Sequence, residues 1–136
     1  MSPNGLFDST TIPALEQVVN FAQRRHEVLA GNIANIDTPG YRVRDLSPDQ
    51  FEERLKTAIQ DRDESHASIS RNGFFPVDTF KKVGENMQGM LYHDDSNVTI
   101  EQQIIGMNKN WGKHNMALTI MRSQFRLLET AISERV

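Results

Sequence analysis

Residues 12–36 read IPALEQVVNFAQRRHEVLAGNIANI and set Leu15, Val19, Ala22, His26, Leu29, Ile33 and Ile36 at alternating steps of four and three. Steps averaging about 3.5 residues draw a narrow seam along one face of a helix, as in a coiled coil. The same spacing returns at the other end of the chain in Ile104, Met107, Trp111, His114, Leu118, Met121, Phe125, Leu128 and Ile132. Each stripe carries a histidine as its one polar interruption. Residues 37–97, between the stripes, have no comparable pattern. Order concentrated at both ends points to an interaction or assembly protein rather than an enzyme built around a central pocket.

The bulk numbers agree with that emphasis. The 136 residues suffice for one domain. The apolar fraction, 38%, is low for a globular chain, so burial is thin for the length. A net charge of −3 lacks the basic footprint of a nucleic-acid binder. The absence of cysteine removes disulfides, thiol catalysis and thiolate metal sites. No stretch approaches the ~20 apolar residues that span a bilayer, so the chain is expected not to be membrane-spanning. Residues 1–11 have neither a basic start nor an apolar run, and no cleaved secretory signal is expected there.

Local signals divide the chain. Residues 1–11, rich in Ser, Thr, Pro, Asn and Gly, form a flexible lead-in. Thr10 or Thr11 caps a first helix over 12–36, with Pro13 tolerated in its opening turn. Asn35 suits the left-handed position at the end of that helix, and Thr38-Pro39-Gly40-Tyr41 suits a type II turn. Ser47-Pro48-Asp49-Gln50 starts a second, shorter helix with Phe51, Leu55, Ala58 and Ile59 on one edge. Residues 61–73 read as polar and of low order, 74–92 as irregular or weakly helical, and 93–97 as a polar turn. The last helix fills 98–136. The expected fold is all-α: long terminal helices paired as an antiparallel coiled-coil-like hairpin, with an irregular middle segment, 37–97, holding one short helix.

One antiparallel register aligns every seam position. It sets Ile36 beside Ile104, Ile33 beside Met107, Leu29 beside Trp111, His26 beside His114, Ala22 beside Leu118, Val19 beside Met121, and Leu15 beside Phe125. The two imidazoles then either bond each other as a polar layer that fixes register or sit at the seam edge in contact with water. Val18, Phe21, Val28, Ile105 and Ile120 lie off the seam and are free to meet further helices. Two helices sharing one seam make a poor free-standing fold, so the monomer is expected to draw stability from neighbours.

Catalytic chemistry is not visible. His26, His66, His93 and His114 have no paired ligand spacing, and His93-Asp94-Asp95 reads as a solvated turn. No phosphate-binding glycine loop, nucleophile elbow, calcium loop or helical metal pair occurs. The methionines read as adaptable packing. No cofactor, no metal and no nucleic-acid partner is expected.

The run Asn32-Ile33-Ala34-Asn35-Ile36-Asp37-Thr38-Pro39-Gly40-Tyr41-Arg42 resembles the N-terminal signature of bacterial flagellar rod and hook proteins, in which an amphipathic helix ends in an Asn-x-x-Asn-x-x-Thr-Pro-Gly-Tyr turn. The short length, and Asn97-Val98-Thr99-Ile100-Glu101 leading into the last helix, look like the proximal-rod members. The resemblance covers residues 12–46 and 95–132. It implies a non-enzymatic subunit, exported unfolded through the flagellar type III apparatus without a cleaved signal. It also implies packing through the terminal helices into a torque-transmitting shaft. Implied partners are other rod proteins, rod-base, membrane-ring and export-gate components, and copies of the chain itself. Asn32, Asn35, Thr38, Pro39, Gly40 and Tyr41 would shape the helix-to-loop turn, and the two seams would be the assembly surface. The competing expectation is a soluble helical coiled-coil adaptor, which would melt cooperatively as a monomer or small closed oligomer.

Overall fold

The computed structural model describes residues 10–72, 79–85, 87–94 and 99–134. The elements are α1 (Ile12–Asn35), β1 (Val43–Leu46), α2 (Pro48–Asn72), α3 (Thr79–Glu85), a 3₁₀ turn (Met87–Met90), β2 (Leu91–Asp94) and α4 (Ile100–Ser133). The all-α expectation holds, with long terminal helices and one small two-stranded sheet. The lead-in at 1–9, and residues 73–78 and 95–98 of the middle segment, lie outside the described residues.

The helices begin where the sequence provides caps. At α1 the Thr10 hydroxyl accepts from the Ile12 amide at 3.3 Å, Thr11 makes no side-chain cap, and proline occupies the first turn. At α2 the Ser47 hydroxyl accepts from the Gln50 amide at 3.3 Å. Thr99 and Gln102 form a reciprocal capping box at α4, which satisfies two of the amides orphaned at a helix start.

Three local expectations need correction. Asn35 is the last residue of α1 in ordinary helical geometry, and no described residue other than glycine has positive φ. Its amide instead returns to the Gly31 carbonyl at 2.8 Å, holding the last turn. The second helix is not short: it continues through the polar stretch to Asn72. Tertiary contacts hold that stretch, because Arg62 donates to the Thr10 carbonyl at 2.9 Å and lies 5.7 Å over the Phe80 ring. Residues 91–94 are a strand, where an irregular or weakly helical end (to 92) and the start of a polar turn (from 93) are expected. They pair antiparallel with β1, in the register Val43 to Asp94 and Leu46 to Leu91.

The hydrophobic core sits between α1 and the middle segment, not between the terminal helices. Phe21, Leu46, Phe51, Ala58, Phe80, Val83, Met87 and Met90 form it, with Val18 and Val28 packed against it. The Phe21 and Phe51 rings stack at 4.1 Å with 11° between planes. Phe21, Val18 and Val28 are thus the off-seam residues of α1 that meet further elements. Arg25 grips Asp45 with two bonds of 2.9 and 2.8 Å, tying α1 to β1. Gly84 allows α3 to approach α1 closely, since a Cβ there would stand 2.9 Å from the Gln17 Oε1.

Candidate functional site

The helix-to-loop turn is built as its residues predict. The Tyr41 amide donates to the Thr38 carbonyl at 3.1 Å, and Gly40 takes φ +77°. These are the marks of a type II turn with proline and glycine in the central positions. Thr38, Pro39 and Gly40 are exposed, whereas Asn35 and Tyr41 are half-buried. Asn32 has no exposed surface. Its Nδ2 donates to the Arg44 carbonyl at 2.6 Å and to Gln103 Oε1 at 2.9 Å. Its Oδ1 accepts from the Arg44 amide and the Tyr41 hydroxyl, each at 3.1 Å. Two donors and two acceptors exhaust what an asparagine side chain offers. One residue of the motif thereby joins α1, the turn, β1 and α4.

Gln103 and Asn110 were not singled out by sequence reasoning. Asn110, with 2% exposure, donates to the Ala22 carbonyl at 2.6 Å. Gln103, Asn110 and Ala117 are the buried residues of α4, and Gly106 faces Leu29 with 4.0 Å between its Cβ position and Leu29 Cδ1. The heptad step from Gln103 to Asn110 to Ala117 was the available signal, hidden because amides and alanine do not register as an apolar stripe.

The terminal helices pair antiparallel, but in a different register from the one that aligns apolar positions. Leu29, expected beside Trp111, lies against Gly106. Ala22, expected beside Leu118, receives Asn110. α4 is slid by at least five residues, roughly 7 Å along the helix, and turned so that small and amide residues face α1. His26 is exposed and His114 half-buried; in this register they do not face each other, and His26 sits in water.

The seam residues are divided accordingly. On α1, Ala22 and Leu29 are buried, and Leu15, Val19, Ile33 and Ile36 are half-buried. On α4, Met107, His114, Leu118, Met121 and Leu128 are half-buried, whereas Ile104, Trp111, Phe125 and Ile132 are exposed. Trp111 is 61% exposed. At 3.6 residues per turn, the exposed Ile100, Ile104, Trp111 and Phe125 gather on one side of α4, and Ile105, Met116, Ile120 and Leu127 on another, roughly 160° around the axis. α1 occupies the wider arc between these stripes. The narrower arc carries the exposed polar residues Glu101, Asn108, Thr119, Arg122 and Arg126. The exposed face of α1, by contrast, is polar: Glu16, Asn20, Gln23, Arg24 and Glu27.

Such a surface suits contact with other helices rather than chemistry. Among the described residues no three of His, Asp and Glu gather as metal ligands, and no helix is long and apolar enough to cross a membrane.

Residues 20–42 match the model of the flagella basal body rod protein family. This segment includes the turn and the Asn32 node. Over most of its length the chain is similar to flagellar basal body rod protein FlgB of three distant bacteria. It is 27% identical to that of Salmonella typhimurium, covering 82% of this chain and 84% of the relative. It is 29% identical to that of Aquifex aeolicus, covering 88% and 90%, and 26% identical to that of Bacillus subtilis, covering 92% and 95%. No solved structure matches significantly. A motif turn whose asparagine welds both terminal helices, a family match centred on that turn, and likeness to rod proteins over most of the chain agree: the chain resembles the flagellar basal body rod proteins.

Proposed function

We propose that this chain is a structural subunit of the flagellar proximal rod, packing laterally through α4 into the shaft that links the membrane ring to the distal rod and carries torque. The observation that carries this reading is the pair of apolar stripes on α4. Soluble monomers rarely leave large apolar patches exposed, and this helix exposes large apolar side chains on two sides while α1 covers a third. Each stripe accepts a neighbouring helix. Neighbours set at roughly 160° rather than opposite each other curve a row of such helices. α1 then lies on the outside of the wall, and the Glu101, Asn108, Arg122 and Arg126 arc lines its interior. Contacts of this heterologous kind, one stripe against the other, build rings or helical arrays rather than closed dimers.

The partners in this reading are copies of the chain, other rod proteins, and the components at the rod base, membrane ring and export gate. The chain acts without catalysis or cofactor. It reaches the periplasmic rod unfolded, through the flagellar type III apparatus. These points follow from the likeness to flagellar basal body rod proteins.

The test combines one charge on each stripe, Ile104→Asp and Ile120→Asp. Both side chains are exposed, so the isolated variants should keep wild-type helicity by circular dichroism. A charge in a desolvated helix contact is costly, so cells carrying either variant should not swim. Cryotomograms of their flagellar bases should show membrane rings without a rod, as should cells lacking the gene. Complete rods in the deletion strain would reject the subunit role, and normal swimming of both variants would reject α4 as the assembly surface.

A further inference from the structure

The stripe that dominates α4 by apolar periodicity is not the face that α1 takes. Pairing by apolar match would bring Ile104 to Ile36, Met107 to Ile33 and Trp111 to Leu29. The observed pairing instead brings Gln103 to Asn32, Gly106 to Leu29 and Asn110 to the Ala22 carbonyl. We propose that Gln103 and Asn110 select the register and face with which α4 docks on α1, and so hold Ile104 and Trp111 outward for the neighbouring subunit. The proposal deepens the assembly reading and rests on it for the purpose of the outward stripe; the selection itself is a property of the single chain.

The hydrogen-bond inventory explains why two amides decide the matter. Asn32 is fully enclosed and has four bonds, three of which come from the turn and β1 next to it in sequence. The fourth, to Gln103, is the one that reaches α4. Any α4 register that removes Gln103 leaves a buried N–H of Asn32 without an acceptor. Any register that removes Asn110 strands a buried amide, 2% exposed, away from its carbonyl. Unpaired buried polar groups are penalised strongly, whereas a well-paired polar position fixes register at a modest cost in stability. The two anchors stand seven residues apart on α4, two turns along one face, and they set both the slide and the rotation of the helix. Gly106 between them carries no side chain and lets the Leu29 methyl lie against the backbone of α4. An apolar seam would gain burial in the other register, and these amides make that gain unreachable.

Trp111 is the only tryptophan in the chain, and no cysteine is present, so both pairings can be read directly in the full-length protein. In the observed register Trp111 is in water. The double variant Gln103→Leu/Asn110→Leu should shift its emission to the blue at unchanged helicity, in dilute solution that sediments as monomer. Leu29→Cys/Gly106→Cys should oxidise to an internal disulfide in the otherwise wild-type chain, and Leu29→Cys/Trp111→Cys should not. Adding the two leucines should reverse that preference. Should the double leucine variant not fold, Asn110→Ala with each cysteine pair supplies the same comparison in a milder background, with partial loss of the 29–106 bridge as the expected result. Unchanged tryptophan emission together with an unchanged 29–106 bridge in any folded variant lacking an amide would overturn the proposal. So would efficient 29–111 bridging in the chain that keeps both amides. These readouts use the monomer alone, and the fate of the rod in cells tests the assembly reading separately. Failure here with rods missing in the deletion strain would leave the subunit role standing.

Discussion

Replacing Asn32 by alanine removes all four bonds of the node while leaving the turn sequence intact. The lost contacts are those of Nδ2 with the Arg44 carbonyl (2.6 Å) and Gln103 (2.9 Å), and those of Oδ1 with the Arg44 amide and the Tyr41 hydroxyl (3.1 Å each). A net contribution of about 1 kcal/mol per bond gives roughly 4 kcal/mol. Tyr41 is only half-buried, so its hydroxyl recovers water, and the expected loss is about 3 kcal/mol, more than a hundredfold in the folding constant. Asn35→Ala is the internal control. It lies one helical turn away and has one bond of 2.8 Å, to the Gly31 carbonyl, which sets its cost at about 1 kcal/mol. Both changes gain the same helix propensity, which cancels in the comparison. Urea unfolding followed by circular dichroism measures the difference directly. With a slope of about 2 kcal/mol/M for a chain of this size, the Asn32 midpoint should fall by roughly 1 M more than the Asn35 midpoint. Equal losses in the two variants would refute the claim that Asn32 is the structural centre of the motif.

Two further expectations concern the same region. Gly40 holds φ +77° with open space around its Cβ position, so Gly40→Ala should cost about 1–2 kcal/mol through the backbone alone. Gly31, helical and equally uncrowded, should gain up to ~1 kcal/mol on replacement by alanine; thermal melts of the two variants should move in opposite directions. Arg25 has its proton affinity raised, chiefly by the hydrogen bond to Asp45, against the opposing effect of burial. A raised value means that its stabilisation is complete below the ordinary arginine range and is lost only above it. Arg25→Lys should therefore lose the two-pronged contact and about 1 kcal/mol. It should also weaken further near pH ~10, where lysine titrates, whereas the wild-type chain should not. A pH series of urea midpoints for both proteins checks this.

The sequence by itself determined both terminal helices, the cap of α2, and the turn at Thr38–Tyr41. Each depends on residues within a few positions of one another: a hydroxyl ahead of a helix, a proline and a glycine in a turn, a period of 3.5. It also made residues 32–42 recognisable, because the motif is contiguous. Tertiary structure decided which side of α4 turns inward. Apolar periodicity reports that a face is buried somewhere, and it is the same whether the covering helix belongs to this chain or to a neighbour. Here the inward face is chosen by Gln103 and Asn110, whose partners, Asn32 and the Ala22 carbonyl, lie 71 and 88 residues away. Separation along the chain likewise hid the strand pairing of residues 43–46 with 91–94 and the extension of α2, which Arg62 anchors to Thr10 and Phe80. Local chemistry fixes where helices start and stop; the bonds that select among faces form only once distant segments meet.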